Sequence, residues 1–127
     1  MQKVLGFGGF FFKSRDPEGL ARWYETNLGI AQATAENGYE PWQQQAGPTA
    51  FSLFPNDTTM FPNTAFMMNF RVGDLDAMVT QLRAANIAVE VDKENYSFGR
   101  FATLSDPDGN PIQLWQPADD KKKAVLF

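Results

Sequence analysis

The residue types that carry much of enzyme chemistry are missing from this chain of 127 residues, which contains no cysteine and no histidine. Disulfides, thiolate nucleophiles, Cys/His zinc sites, Ser-His-Asp triads and imidazole general bases are therefore excluded. Any acid–base catalysis has to use Asp, Glu, Lys or Tyr side chains. The spacing of the carboxylates Glu40, Glu90 and Glu94 does not indicate a metal site or a catalytic pair.

The composition predicts one soluble globular domain. Hydrophobic residues make up 43% and charged residues 20% of the chain, close to globular averages. The net charge of −4 repels phosphate backbones, which excludes nucleic acid as a partner. No apolar run approaches the roughly 20 residues of a membrane span, and none near the start resembles a signal peptide. We therefore expect a cytoplasmic protein that does not bind membranes.

The elements of the first half begin with a predicted strand, Val4–Lys13. A helix follows, because Asp16 is a good N-cap, Pro17 fits the first helical position and the apolar residues up to Leu28 recur at helical spacing. Gly29 is expected to end this helix. Two or three shorter strands are predicted between Ile30 and Pro55.

The same order of elements recurs in the second half. Asp74 is predicted to cap a second helix, which ends near Asn86, and placing Asp16 on Asp74 sets an offset of 58 residues. Strands are expected before and after this helix, followed by a hairpin around the turn 105–110. The predicted segments of this half are Ala65–Val72, Ile87–Val91, Phe98–Leu104 and Ile112–Gln116. The pattern indicates an internal duplication of a β-α-β-β-β unit.

The duplicated unit, with its Asp16-Pro17 and Asp74-Leu75 helix starts and the closing run Asp106-Pro-Asp-Gly-Asn-Pro-Ile-Gln-Leu-Trp115, resembles the vicinal oxygen chelate superfamily. This group includes glyoxalase I, bleomycin-resistance proteins and extradiol dioxygenases. The resemblance implies an α+β fold in which tandem βαβββ modules form a cupped mixed sheet, and it implies a homodimer. The modules pair either within one chain or between the two chains, because both arrangements bury the same faces. It places one domain at 1–118, with modules at about 3–56 and 64–117, and leaves a C-terminal tail at 119–127.

Metal-using members of this superfamily carry four ligands, mostly His and Glu, on the strands that line the cup. The resemblance assigns the corresponding positions to Gly9, Ser52, Met67 and Gln113. None of these side chains offers the imidazole or carboxylate that a divalent ion needs. We therefore expect neither a metal nor another cofactor.

Strand alternation extends this register, because every second residue shares the face of a ligand position. Trp115, Phe11 and Phe54 are the expected apolar walls of a ligand pocket, although aromatic residues on strands can simply fill a core. The other expected ligand-binding residues are Gln113, Asn69 and Ser52 as hydrogen-bonding groups, Met67 beside them, and Trp42 at the mouth, where Tyr96 is expected as well. Lys13 and Arg71 occupy equivalent positions of the repeat, where they either clamp an anionic group or remain solvated charges at strand ends.

Three functions remain open from the sequence. The favoured hypothesis is a metal-independent binding protein that holds an aromatic or amphipathic small molecule in the cup. The alternative is an enzyme, a glyoxalase-like lyase/isomerase or a dioxygenase with a non-standard metal site. A non-catalytic interaction module is the third.

Overall fold

Both helices form where their capping residues predict them. The computed structural model of the chain describes residues 1–119, so the predicted tail lies outside the described residues except for Asp119. Helix α1 (Pro17–Leu28) begins after Asp16, whose carboxylate accepts a hydrogen bond of 3.0 Å from the amide of Gly19. Gly29 ends the helix with a φ of 72°, in the left-handed region.

Helix α2 (Leu75–Ala84) repeats this arrangement. The carboxylate of Asp74 accepts a hydrogen bond of 3.0 Å from the amide of Ala77. Asn86 adopts a φ of 63° just beyond the helix, the same left-handed conformation that Gly29 adopts after α1. The repeat of cap, helix and stop is therefore confirmed. Neither helix within residues 1–119 is long and apolar enough to cross a membrane.

A four-stranded mixed sheet is built entirely from the second half of the described chain. Its strands are β1 (Met68–Arg71), β2 (Glu90–Val91), β3 (Gly99–Ser105) and β4 (Pro111–Pro117), in the spatial order β1-β4-β3-β2. Strand β1 is parallel to β4, and the other two pairings are antiparallel. With α2 between β1 and β2, this is the βαβββ unit predicted for the second module, and the α+β class is confirmed.

The turn between β3 and β4 is organised by one buried carboxylate. Asp106, which is 5% exposed, accepts hydrogen bonds from the amides of Asp108 and Asn110 and from the Asn110 side chain, all at 2.7 to 2.9 Å. It also accepts a hydrogen bond of 2.6 Å from the hydroxyl of Tyr24 in α1. The predicted hairpin therefore forms, and its turn is tied to the first helix.

The hydrophobic core lies between the two helices and one face of the sheet. Leucine and isoleucine side chains from both layers are fully buried there, which supplies most of the apolar burial that stabilises the fold. The buried core residues are Leu20, Tyr24, Met68, Leu75, Val79, Leu82, Ala102, Leu104, Ile112 and Leu114.

The strands expected in the first half do not form. Neither 4–13 nor 30–55 contains a strand, and the latter range contains only a short 3₁₀ helix, Ala35–Asn37. Prolines at 41, 48 and 55 lack the N–H that a ladder needs, and a strand also needs a neighbour to pair with. Consistent with unpaired backbone, Phe11 is 95% and Phe51 76% exposed.

Two predicted strands of the second half are shorter than expected. The segment 65–72 contributes β1, and the segment 87–91 contributes only the two residues of β2. The residues that precede β1 still pack on the first half, because the ring of Phe10 lies 5.3 Å from that of Phe66. The second half thus carries the ordered scaffold on which a site can be positioned.

Candidate functional site

One face of the sheet is packed against the helices, and the other is available for a ligand. Side chains alternate along a strand, so the buried residues Ile112 and Leu114 place their neighbours on the opposite face. The register sets Asn69 beside Gln113 and Arg71 beside Trp115, and on the other side of β4 it sets Thr103 and Phe101 beside the same two residues. We call this surface the open face; it comprises Asn69, Arg71, Phe101, Thr103, Gln113 and Trp115.

Two amide side chains form the polar centre of the open face. The Asn69 Nδ2 group donates a hydrogen bond of 2.7 Å to Gln113 Oε1 across the parallel pair β1 and β4. The second polar atom of each amide, Gln113 Nε2 and Asn69 Oδ1, has no hydrogen-bond partner within residues 1–119. The pair therefore leaves one NH2 group and one carbonyl oxygen free to bind a ligand.

Aromatic rings lie beside this amide pair, on the side away from the β3–β4 turn. The rings of Phe101 and Trp115 are nearly parallel, with 7° between their planes and 6.3 Å between their centroids. The Trp115 indole N–H donates a hydrogen bond of 2.8 Å to the carbonyl of Phe98, which fixes the ring's orientation. Trp115 is only 9% exposed, so it forms the floor of this region.

The aromatic region extends into solvent through two further rings. Tyr96 and Phe98 stack with 5.3 Å between centroids and 14° between planes, and both contact the ring of Phe101 edge-on. The Tyr96 hydroxyl donates a hydrogen bond of 3.0 Å to Asp92, and this bond raises the pKa of the phenol. Tyr96 and Phe98 are both exposed, so they can serve as a rim for an apolar ligand.

A glycine permits this close arrangement. Gly99 has a φ of 138°, and a Cβ atom at this position would lie 2.6 Å from Nε1 of Trp115. Neither the backbone conformation nor the space accepts a side chain there. Gly99 is therefore required for the position of the indole.

Arg71 closes the other side of the open face. Its guanidinium donates a hydrogen bond of 2.7 Å to the carbonyl of Gln45 and a longer one of 3.4 Å to that of Ala46. Gly47 brings the same loop against the guanidinium so closely that a Cβ atom would clash with it. The loop also contains Trp42, one of the predicted ligand-binding residues.

The structure brings together four of the ten predicted site residues, namely Asn69, Arg71, Gln113 and Trp115. Phe11, Lys13 and Ser52 are exposed on segments that form no strand, and Phe54 packs its ring on Phe61 at 5.2 Å. Met67 lies at the end of the sheet, where with Trp23 and Met60 it lines a shallow depression of about 660 Å³. The roles assigned to these outlying residues, and to Trp42, stay predictions.

Sequence reasoning missed the β3 contribution to the open face, Phe101 and Thr103. The sequence contains the information needed to find them. The turn pairs Ser105 with Pro111, and counting the antiparallel register outward from this pair places Phe101 opposite Trp115. Tyr96 and Phe98 lie before β3 and belong to the same aromatic cluster. Counting the hairpin register outward from the turn would have found all of the β3 partners.

The residues at the family's metal positions do not fit a divalent ion. Gly9 has no side-chain donor, Ser52 and Met67 are neutral, and the Gln113 oxygen already accepts a hydrogen bond from Asn69. Across residues 1–119, no group of three or more Asp and Glu side chains is arranged to hold a metal ion.

Comparisons with known proteins place the chain in a family. A family model described as a glyoxalase-like domain matches residues 9–115. No curated protein matches the chain. Among solved structures, TnmS3, an antibiotic binding protein from Streptomyces sp. CB03234, is 26% identical over 82% of this chain and 88% of its own length, with a TM-score of 0.52.

A second structure, a glyoxalase/bleomycin resistance protein from the same Streptomyces strain, is 41% identical over 39% of this chain, with a TM-score of 0.35. The chain spans 42% of the length of that protein. The family match, the sheet order and the similarity to TnmS3 agree with the glyoxalase/bleomycin-resistance-like fold expected from the sequence. The chain belongs to the glyoxalase-like domain family, within the vicinal oxygen chelate superfamily.

Proposed function

We propose that this protein is a metal-independent small-molecule binding protein whose ligand is aromatic or amphipathic. The observation that carries this proposal is the open face, where the Asn69–Gln113 amide pair lies directly beside the Phe101–Trp115 ring pair. Apolar walls supply affinity, and a small number of polar groups set the ligand's orientation. The open face offers both apolar walls and polar groups on the three neighbouring strands β1, β4 and β3.

The hydrogen-bonding capacity of the amide pair defines how a ligand is held. A ligand that carries both an acceptor and a donor can engage Gln113 Nε2 and Asn69 Oδ1 together. Its ring system then lies toward Trp115 and is bordered by the exposed rings of Tyr96 and Phe98. Aromatic contacts of this kind contribute about 0.5–1.5 kcal/mol each beyond the area they bury.

The similarity to TnmS3 supports a binding role over a catalytic one. That protein is described as antibiotic binding, and its alignment covers most of both chains. In the present chain, no histidine or cysteine is available for catalysis. The open face likewise carries no carboxylate among its six residues. We therefore favour an antibiotic-like or metabolic aromatic compound as ligand.

The binding proposal is tested by calorimetric titration of a panel of planar aromatic compounds against the purified protein. We expect at least one compound to bind at one site per subunit. The double variant Asn69→Ala/Gln113→Ala should weaken it about tenfold or more, because both hydrogen bonds to the ligand are lost. Gln81→Ala, a change of an exposed amide on helix α2, is the control and should leave affinity unchanged.

Trp115 is tested separately because its ring is largely buried. Trp115→Ala should weaken binding further, and the thermal midpoint of each variant has to be recorded to separate loss of the site from unfolding. Phe101→Leu is a milder second change that keeps the apolar volume and removes the ring. Folded variants that all bind with unchanged affinity would contradict the assignment of the open face as the site.

We further propose that the protein is a homodimer located in the cytoplasm. The exposed apolar side chains include Phe7, Phe11, Phe51 and Leu53, all in the first half. Exposed apolar side chains of this kind are what the interface of an obligate homodimer buries. A second copy also supplies the strand neighbours that the first half lacks.

A further inference from the structure

We propose that Arg71 is an anion-recognition residue, so that the ligand of the open face is an aromatic acid with a carboxylate or a similar planar oxyanion beside its ring. This inference rests on the proposed function and specifies its ligand class. It is carried by the position of the guanidinium and by the kind of partners that it has.

No carboxylate within residues 1–119 forms an ion pair with Arg71. Its two hydrogen bonds go to the backbone carbonyls of Gln45 and Ala46, which are neutral acceptors. The ion pair found within residues 1–119 belongs to Arg100, whose guanidinium contacts both carboxylate oxygens of Asp76 at 2.9 and 3.1 Å. The two arginines of the sheet therefore differ, since one has a bidentate carboxylate and the other has none.

The guanidinium of Arg71 also retains unused donors. Arginine has five N–H groups in a planar fork, and the two hydrogen bonds to the loop use two of them. A carboxylate can bind the remaining donors in the bidentate manner that arginine favours. Such charge-assisted hydrogen bonds are roughly twice as strong as neutral ones, so an anion can also replace the 3.4 Å contact to Ala46.

The position of Arg71 links this charge to the aromatic wall. Arg71 and Trp115 are direct partners in the β1–β4 register, and Phe101 is the next residue across the sheet. Neighbouring strands lie about 4.8 Å apart, so the guanidinium and the two rings follow one another within the length of a bicyclic aromatic acid. The Asn69–Gln113 pair lies one step along the same strands and can bind a polar substituent of the ring.

The two hydrogen bonds that Arg71 donates also hold the loop at 45–47 in place. Gly47 lets the backbone approach the guanidinium, and Gln45 provides the shorter of the two hydrogen bonds. Because a bound anion competes for this guanidinium, binding changes the contacts of the loop that carries Trp42. A change in tryptophan fluorescence is therefore expected to accompany the binding of an acid.

The test compares two probes that differ in charge but hardly in shape, 1-naphthoate and 1-naphthamide, each titrated by calorimetry. We expect the naphthoate to bind about tenfold or more tightly than the naphthamide, and this preference to decrease as salt is raised. Arg71→Gln should abolish the preference, so that the naphthoate and the naphthamide bind this variant with affinities within about twofold of each other. Arg71→Lys keeps the charge without the planar fork and should retain an intermediate preference.

Arg100→Gln is the matched control, because it removes an arginine of the same sheet whose charge is already paired with Asp76. It should leave the preference for naphthoate unchanged. Equal affinities of the native protein for the two probes would overturn this inference while leaving the proposed function intact. A preference that persists in folded Arg71→Gln would overturn it as well. Failure of both probes and of the whole aromatic panel to bind would overturn the proposed function itself.

Discussion

At the scale of single residues, the hydrogen bond between Tyr24 and Asp106 connects the two halves of the described chain. Tyr24 is buried in helix α1, and Asp106 is the buried acceptor at the centre of the β3–β4 turn. The carboxylate has four donors, so its lost hydration is compensated. The Tyr24 hydroxyl thereby ties a first-half helix to the hairpin that carries Trp115.

Removing this hydroxyl should destabilise the protein. We expect Tyr24→Phe to lower the free energy of unfolding by about 1–3 kcal/mol, because a buried hydrogen bond to a charged acceptor is lost while the ring stays in place. Urea denaturation followed by circular dichroism measures this change. Tyr96→Phe is the control, since Tyr96 also donates to an aspartate but is exposed, and its effect should be clearly smaller. Equal effects of the two changes would contradict the structural role of Tyr24.

The same tyrosine predicts how stability depends on pH. Burial, and then the hydrogen bond to Asp106, raise the pKa of Tyr24 well above its ordinary value of about 10. A group whose pKa is raised by folding contributes stability that is complete below about pH 10 and is lost as the pH rises above it. Unfolding free energies of the native protein should therefore fall progressively as the pH is raised above about 10. In the variant Tyr24→Phe, the free energy of unfolding should decrease less at alkaline pH. An equal decrease in the variant would show that another titrating group causes it.

At the scale of elements, the paired helix caps provide a test of whether both halves fold together. Asp16→Ala and Asp74→Ala each remove a carboxylate that accepts a first-turn amide at 3.0 Å. Each change should lower the free energy of unfolding by about 1 kcal/mol, as measured by urea denaturation. Asp57→Ala changes an exposed carboxylate outside both helices and all four strands, and it is the control. If Asp74→Ala destabilised the protein and Asp16→Ala did not, helix α1 would not belong to the cooperative unit.

The elements that the sequence predicts correctly are those with local signals. Asp16, Pro17 and Gly29 determine the bounds of α1, and the Asp106–Asn110 segment determines the hairpin turn through bonds between near neighbours. The first-half strands are predicted from the phenylalanine run at 10–12, from the Pro and Gly residues that punctuate 30–55, and from the repeat. Strand formation depends on a pairing partner that these local patterns do not reveal, and those segments remain unpaired in the structure.

The same distinction explains how far the site could be predicted. Four of the predicted site residues lie together because the register of their strands follows from the turn and from the parallel β1–β4 pairing. They are Asn69, Arg71, Gln113 and Trp115. The ligand roles of Phe11, Lys13, Ser52 and Phe54 depend on strands of the first half that would have to pair beside this sheet. Their roles stay predictions.

At the scale of the whole molecule, the exposed aromatic side chains of the first half predict self-association. Size-exclusion chromatography with light scattering should give twice the chain mass of 14.2 kDa. The double change Phe11→Ser/Phe51→Ser should shift the protein toward the monomer, because both rings are largely exposed in the single chain. Phe98→Ser alters an exposed ring of the second half and is the control. A native protein that elutes as a monomer at all concentrations would contradict the dimer.

The central claim, binding of a small molecule without a metal, is tested most directly by native mass spectrometry of protein purified without chelator or added metal. The account predicts subunits that carry no divalent ion. When the tightest compound of the aromatic panel is added, each subunit should gain the mass of one molecule of that compound. One tightly held divalent ion per subunit, required for ligand binding, would contradict the claim and favour a metal-dependent enzyme of the same superfamily.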